Sequence, residues 1–366
     1  MDPQLVNQVL ELAIKIQQIP APTFNESKRA AFIYERFIQE NLKDVEIDEI
    51  GNVLGRLPGS GSALPIIASA HLDTVFPSGT DLGYERLAEK VAGPGIGDNA
   101  VGLAGLFGLL WELNQQQIIL NSDLWLVANV GEEGLGDLRG MREIVNRFAG
   151  QIQAYIILEG MALGQVYHRG LGVRRFRITV NTSGGHSWVD YGKPSAVHEL
   201  VRIITRLLAI QIPEGPRTTM NVGVISGGTS VNTIAAEASL DLDLRSEDVA
   251  TLDELVNSVE GIFQESQSLD VRVSVELIGQ RPVGEISQNH PLIALAVQEL
   301  EAVGIQPRLN IGSTDANIPL SLGYPAICLG LTTGNGAHTG NEYINLPPLD
   351  LGLKQLLLVI KGLDRL

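Results

Sequence analysis

The 366-residue sequence predicts an α/β fold in which a layered α/β domain is interrupted by an inserted βαββαβ domain, and three observations predict it. Apolar strand-like runs alternate with helical periods from Met1 to about Gly170, the signature of a mostly parallel sheet flanked by helices. After Gly170 the order changes to strand, helix, strand, strand, helix, strand, the ferredoxin-like pattern. From His290 onward α/β character returns, so the last segment completes the first sheet. The expected division is residues 1–170 and 284–366 for the discontinuous domain and 171–283 for the insert, each long enough to hold its own core.

Each element has a local reason. Residues 1–22 carry an acid at Asp2 and lack the basic start and apolar core of a secretory signal, so they read as an amphipathic helix. Residues 27–40 read as a helix from a serine start, and residues 100–114 as a second, nearly apolar one. Its near-apolar part, Ala100 to Trp111, is a dozen residues broken by three glycines, short of the roughly 18 to 20 that cross a bilayer. Residues 53–57, 65–70, 124–130 and 154–158 read as strands. In the insert, strands are expected at 174–181, 221–226, 238–244 and 271–278, with helices at 196–210 and 252–266. A helix at 291–303, a strand at 326–330 and a closing helix from about 349 end the chain. No tandem repeat and no low-complexity segment interrupts this order.

Composition narrows the function. With 44% hydrophobic and 19% charged residues the chain reads as a soluble globular protein. Lysine plus arginine total 26 against 42 aspartates and glutamates, and the net charge of −16 repels nucleic acid and anionic lipid, so neither is expected as a partner. Cys328 is the only cysteine, which excludes an intrachain disulfide or a CxxC metal knuckle and favours the cytoplasm.

Ligands of open α/β sheets bind beyond the carboxyl ends of the strands. There the sequence places His71 and Asp73 after the second strand, Glu132 and Glu133 after the third, Glu159 after the fourth, and His338 in the loop after 326–330. A His-x-Asp step in extended backbone puts both side chains on one face, so His71 can bind a metal while Asp73 orients it. Asp98 sits in the glycine-rich loop of residues 93–99, where on its own it reads as a helix N-cap. The same loop matches a dinucleotide fingerprint poorly, because its third glycine comes too early and no strand immediately precedes it. The adjacent carboxylates Glu132 and Glu133 repel unless a cation or proton relieves them; with a metal, one can ligate while its neighbour serves as general base. His71, Asp98, Glu133, Glu159 and His338 together form a mixed nitrogen and oxygen set suited to two zinc ions sharing a carboxylate. Three negative charges then face four positive ones, leaving a centre able to hold hydroxide and polarise a carbonyl.

Other chemistries find no support. There is no G-x-S-x-G elbow and no HExxH motif, and the lone cysteine lies within an expected buried strand. In the insert, spacing leaves His186 open between a site and a solvated loop position, and Trp188 between a pocket and an interface. Arg245 reads locally as a salt-bridge partner of its acidic neighbours, and Asn232 as a turn residue.

The segments Ser69-Ala70-His71-Leu72-Asp73-Thr74-Val75, Gly97-Asp98-Asn99, Gly131-Glu132-Glu133-Gly134, Leu158-Glu159-Gly160, Gly185-His186-Ser187 and Ala337-His338-Thr339-Gly340-Asn341-Glu342, in this order along nearly the whole chain, resemble the co-catalytic zinc peptidases. That family includes carboxypeptidase G, peptidase T, aminoacylase and succinyl-diaminopimelate desuccinylase. The resemblance implies a zinc-peptidase-like layered catalytic domain with a lid domain that often dimerises. It implies two Zn2+ per chain, one held by His71, Asp98 and Glu159 and the other by Glu133, Asp98 and His338, with Asp98 bridging; Co2+ or Mn2+ suit the same donors. Glu132 becomes the general base, Asp73 the partner of His71, and the Asp98-Asn99 peptide is expected to be cis. His186 gains a role in stabilising the tetrahedral oxyanion, frequently across a dimer. Asn232 and Arg245 resemble residues that grip a substrate carboxylate, for which a guanidinium is suited, and Gly312-Ser313-Thr314-Asp315 resembles a loop near the substrate terminus.

The implied reaction is cleavage of the amide bond of a small peptide or N-acyl amino acid by metal-bridged hydroxide. Glutamate at 159 points to the carboxypeptidase and deacylase branch. The compact lid and the Gly131-Glu132-Glu133-Gly134 context resemble peptidase T-like sequences as well, so a tripeptidase-type aminopeptidase stands as the alternative. A catalytically silent binding protein of the same fold is the alternative from another class.

Overall fold

The largest sheet forms where the chain carries its apolar runs. In the computed structural model, which describes residues 1–366, strand Ala63–His71 is buried from Ile66 onward, and Ala326–Gly330 is buried throughout. Continuous apolar runs of this kind suit strands covered on both faces. Ser122–Asn129, Ala63–His71, Ala154–Glu159 and Ala326–Gly330 lie side by side and parallel at the centre. Both flanks turn antiparallel: Val53–Leu57 and Lys43–Ile47 add on one side, Gln165–Gly170 and Gly284–Glu285 on the other, with Arg308–Gly312 parallel to Gln165–Gly170. The mostly parallel expectation thus describes the centre of a mixed nine-stranded sheet.

Helix Val101–Gln115 is buried along nearly its whole length and packs against Pro3–Gln17 and Pro347–Leu363. Pro3–Gln17 starts as its sequence dictates, with the Asp2 carboxylate accepting from the Gln4 amide and a proline in the first turn. Each fully buried leucine of this core contributes about 1.5–3 kcal/mol.

A second sheet has no sequence signature. Glu85–Arg86, Lys90–Ala92, Tyr343–Asn345 and Gly334–Asn335 pair antiparallel in strands of two or three residues, too short to show a period. It joins chain segments some 250 residues apart, with Tyr343 opposite Ala92. Helix Arg139–Phe148, absent from the sequence reading, buries only Gly140, Met141, Ile144 and Val145 and lacks a side-chain cap.

The chain divides into two compact units, residues 1–170 with 284–366, and residues 171–283. In the second, the sheet order is Thr218–Gly227, Glu237–Ser246, Gly172–Thr182, Val271–Arg281, all antiparallel. Its centre alternates: in Glu237–Ser246 the residues Ala238, Leu240, Leu242 and Leu244 are buried while Asp241, Asp243 and Arg245 face out. Helices Ala196–Leu208 and Val249–Glu265 cover the apolar face, completing βαββαβ.

Candidate metal centre

Parallel strands deliver their carboxyl ends to one edge, and His71, Asn129 and Glu159 end three of them. His71 is fully buried, with Nδ1 3.0 Å from the carbonyl oxygen of Asp73 and 3.5 Å from Asp73 Oδ1. Its Nε2 lies 3.0 Å from Asp98 Oδ1 and 3.9 Å from Glu159 Oε2. A histidine whose second nitrogen is held by a carboxylate is oriented as metal-binding histidines are.

Asp73 does more than orient His71. Its Oδ1 accepts from the Glu132 amide at 3.0 Å, and its Oδ2 from the Glu133 amide and the Thr23 hydroxyl, both at 2.9 Å. The loop that carries the glutamate pair is thereby pinned to the His71 strand. Gly131, at φ 67°, supplies the turn into it.

Asp98 is not a helix cap: Ala100 stands at the N-cap of Val101–Gln115, and the Asp98-Asn99 peptide is cis, as the resemblance implies. The Asn99 side-chain Nδ2 donates to the Leu158 carbonyl at 2.7 Å, tying this loop to the Glu159 strand. The Asp98 carboxylate reaches His71 with Oδ1 and His338 with Oδ2, the latter at 3.1 Å from Nε2. His338 Nε2 also lies 3.2 Å from Glu133 Oε1. This histidine sits at φ 65° in the turn between Gly334–Asn335 and Tyr343–Asn345, and its side chain is 54% exposed.

Charge follows from this packing. Burial works against a charged His71, but hydrogen bonds to Asp73 and Asp98 and the charge of Glu159 overcome it and hold the imidazole well above its ordinary range. Hydrogen bonds to Asp98 and Glu133 push His338 up to about 10. Burial opposes the Asp98 carboxylate as well, yet its bonds to His338 and His71 keep it far below the usual value. Burial, reinforced by the charges of Asp98, Glu132 and Asp315, pushes Glu159 well up. Carboxylates that draw both imidazoles toward their cationic forms are a site for a cation. Ligand atoms of His71, Asp98 and Glu133 all lie within 4.8 Å of one another, close enough to share a metal ion.

In the inserted unit, Gly185–His186 pairs with Thr233–Ile234, and the Ser187 amide donates to the Asn232 carbonyl at 3.0 Å, so His186 and Asn232 share one end of that unit. His186 Nδ1 accepts from the Trp188 amide at 3.2 Å, and Trp188 itself is 86% exposed. Arg245 is elsewhere: eight residues along Glu237–Ser246 from Glu237, about 26 Å of extended strand. Its Nε donates to Asp243 at 2.6 Å, the local salt bridge its sequence suggests. One chain therefore does not bring Asn232 and Arg245 together within this unit. In the other unit Asp315 is fully buried and accepts from Asn129 Nδ2 at 2.7 Å.

Sequence reasoning passed over Asn129, Thr23 and the role of Glu342. Glu342 is fully buried, and its carboxylate accepts from the amides of Gly95, Gly97 and Asp98 at 3.0, 2.7 and 2.8 Å. Burial lifts it to about 7 against the pull of these amides. Its only sequence signal is its place four residues after His338.

Similarity to known proteins agrees with this geometry. A family model described as "Peptidase family M28" matches residues 52–169, and one described as "Peptidase dimerisation domain" matches residues 169–270. An uncharacterized Bacillus subtilis protein, YqjE, is 23% identical over 361 residues, 94% of this chain and 96% of its own. Succinyl-diaminopimelate desuccinylase of Corynebacterium glutamicum is 25% identical over 348 residues, 92% of each chain. The crystal structure of a tripeptidase from Staphylococcus aureus shares the fold, with a TM-score of 0.84, 23% identity and 99% coverage of both chains. Taken with the ordered motifs and the carboxylate-imidazole cluster, these matches support the co-catalytic zinc peptidase family and an enzyme of the metallopeptidase and amidohydrolase class.

Proposed function

We propose that the chain hydrolyses the amide bond of small peptides or N-acyl amino acids bearing a free carboxylate, in the manner of a carboxypeptidase or deacylase, with two zinc ions. The observation that carries this is the division of the Asp98 carboxylate, one oxygen on His71 and the other on His338, with Glu159 flanking the first histidine and Glu133 the second. His71, Asp98 and Glu159 would hold one cation and His338, Asp98 and Glu133 the other. Bound there, divalent ions acidify water and polarise a carbonyl.

The remaining work falls to the chain. Glu132, its amide fixed by Asp73 and its side chain buried, takes the proton from the attacking water and passes it to the leaving nitrogen. His186 donates to the developing oxyanion. Arg245 and Asn232 bind the substrate carboxylate; because one chain places them at opposite ends of the inserted unit, this role draws on two copies and so on a homodimer through that unit. The dimerisation-domain match over residues 169–270 supports that assembly. The lone buried Cys328 supports the cytoplasm as location. No helix is long and apolar enough to cross a membrane.

The likeness in fold to a tripeptidase favours a second reading, an aminopeptidase that needs a free substrate amine. Elemental analysis with a panel of N-blocked and N-free peptides, before and after chelation, tests both. Two zinc per chain and chelator-sensitive cleavage of blocked substrates are expected. Cleavage of free-amine peptides alone moves the assignment to the aminopeptidase, and an absence of bound metal and of metal-restored activity ends the catalytic reading. In the same assay His186→Ala should lose turnover at unchanged zinc content; wild-type rates would remove its role.

A further inference from the structure

Two of the proposed ligands, Asp98 and His338, come from loops that lead out of the small sheet. Asp98 follows Lys90–Ala92, and His338 lies in the turn before Tyr343–Asn345. Tyr343 pairs with Ala92, and the next step of that ladder is the Gly93 amide donating to the Glu342 carbonyl at 2.8 Å. From this point the Glu342 side chain turns into the Asp98 loop and accepts from three of its backbone amides. Oε2 takes the Gly95 amide at 3.0 Å, and Oε1 takes those of Gly97 and Asp98 at 2.7 and 2.8 Å. Gly95 is left-handed at φ 75°, which aims these amides inward toward one carboxylate. The Glu342 amide in turn donates to the Thr339 carbonyl at 3.2 Å, so one residue closes the His338 turn and grips the Asp98 loop.

We infer that Glu342 is a positioning residue that locks the loops of Asp98 and His338 into one frame, so that the bridging carboxylate and the exposed histidine meet at metal-binding distance. No core packing does this for His338, which is half exposed; the span between the two loops is fixed through the short sheet and this carboxylate. The inference rests on the two-cation reading above. A glutamine at 342 keeps shape and size but presents an NH2 to at least one of the three amide donors, so the frame loosens without a cavity.

The test is zinc titration of the metal-free protein by calorimetry, with Co2+ absorption spectra, on wild type, Glu342→Gln and Leu357→Ala. The last removes buried apolar volume from the closing helix Pro347–Leu363 and controls for lost stability. Wild type should bind two ions, Glu342→Gln should bind at least one of them about 10- to 100-fold more weakly with an altered cobalt spectrum, and Leu357→Ala should lower the unfolding temperature at unchanged zinc affinity. Wild-type affinities in Glu342→Gln, or equal weakening in Leu357→Ala, would overturn the positioning role. Wild type binding no zinc would overturn the two-cation reading itself, a failure distinct from the other two.

Discussion

His71 and His338 face the same carboxylate from two sides, yet the chain holds them by opposite means. His71 ends a strand buried among parallel neighbours and has Asp73 behind its ring, itself fixed by two amides and a hydroxyl. His338 occupies a turn in left-handed backbone, half exposed, with only the short sheet and Glu342 behind it. The first ligand is a by-product of the fold, because any sequence that packs this sheet places it. The second is a construction of a few polar bonds, which can fail while the fold stands.

Changes between and within the two halves sharpen this contrast. The largest effect is expected where both halves survive and only the proton carrier goes: Glu132→Gln should reduce turnover about 10²- to 10⁴-fold while zinc content stays at the wild-type level, as measured by steady-state kinetics and elemental analysis. A near-normal rate would remove Glu132 as the base. Next, Asp73→Asn strips the support of the buried half and should weaken zinc binding about 10- to 100-fold; unchanged affinity by titration would show that burial alone orients His71. The smallest effect separates the halves by stability. His71→Ala in the metal-free protein should cost about 1–3 kcal/mol, since it leaves buried carboxylates short of a partner, whereas His338→Ala should change unfolding by no more than about 0.5 kcal/mol. Equal losses in denaturant titrations would erase the distinction.

The same contrast explains what the sequence could disclose. Ligands at strand ends were legible, because an apolar run that stops at a histidine or glutamate announces both the strand and the side chain beyond it. Strands 53–57 and 326–330 lie in the structure where their apolar runs place them. The small sheet was not legible: strands of two and three residues have no period, and their partners lie far apart in the chain. Glu342 was hidden for that reason, its bonds to Gly95, Gly97 and Asp98 spanning 247, 245 and 244 residues. Asp98 shows the limit of local reading, since a glycine loop before a helix suggests a cap and only the fold reveals two histidines converging on it. In the insert, alternation in Glu237–Ser246 was plain, but nothing local could say that Arg245 and Asn232 end up at opposite ends of one unit.

The inserted unit enters and leaves through adjoining positions. On the side of the larger unit Gly170 pairs with Gly284, and inside the insert Val173 pairs with Arg281. Facing residues of an antiparallel pair stand about 5 Å apart, a gap that one or two residues bridge. The 113-residue insert therefore occupies the place of a hairpin turn. In evolutionary terms it is a cassette: it can lengthen, shrink or be exchanged while the strands that end in His71 and Glu159 keep their register.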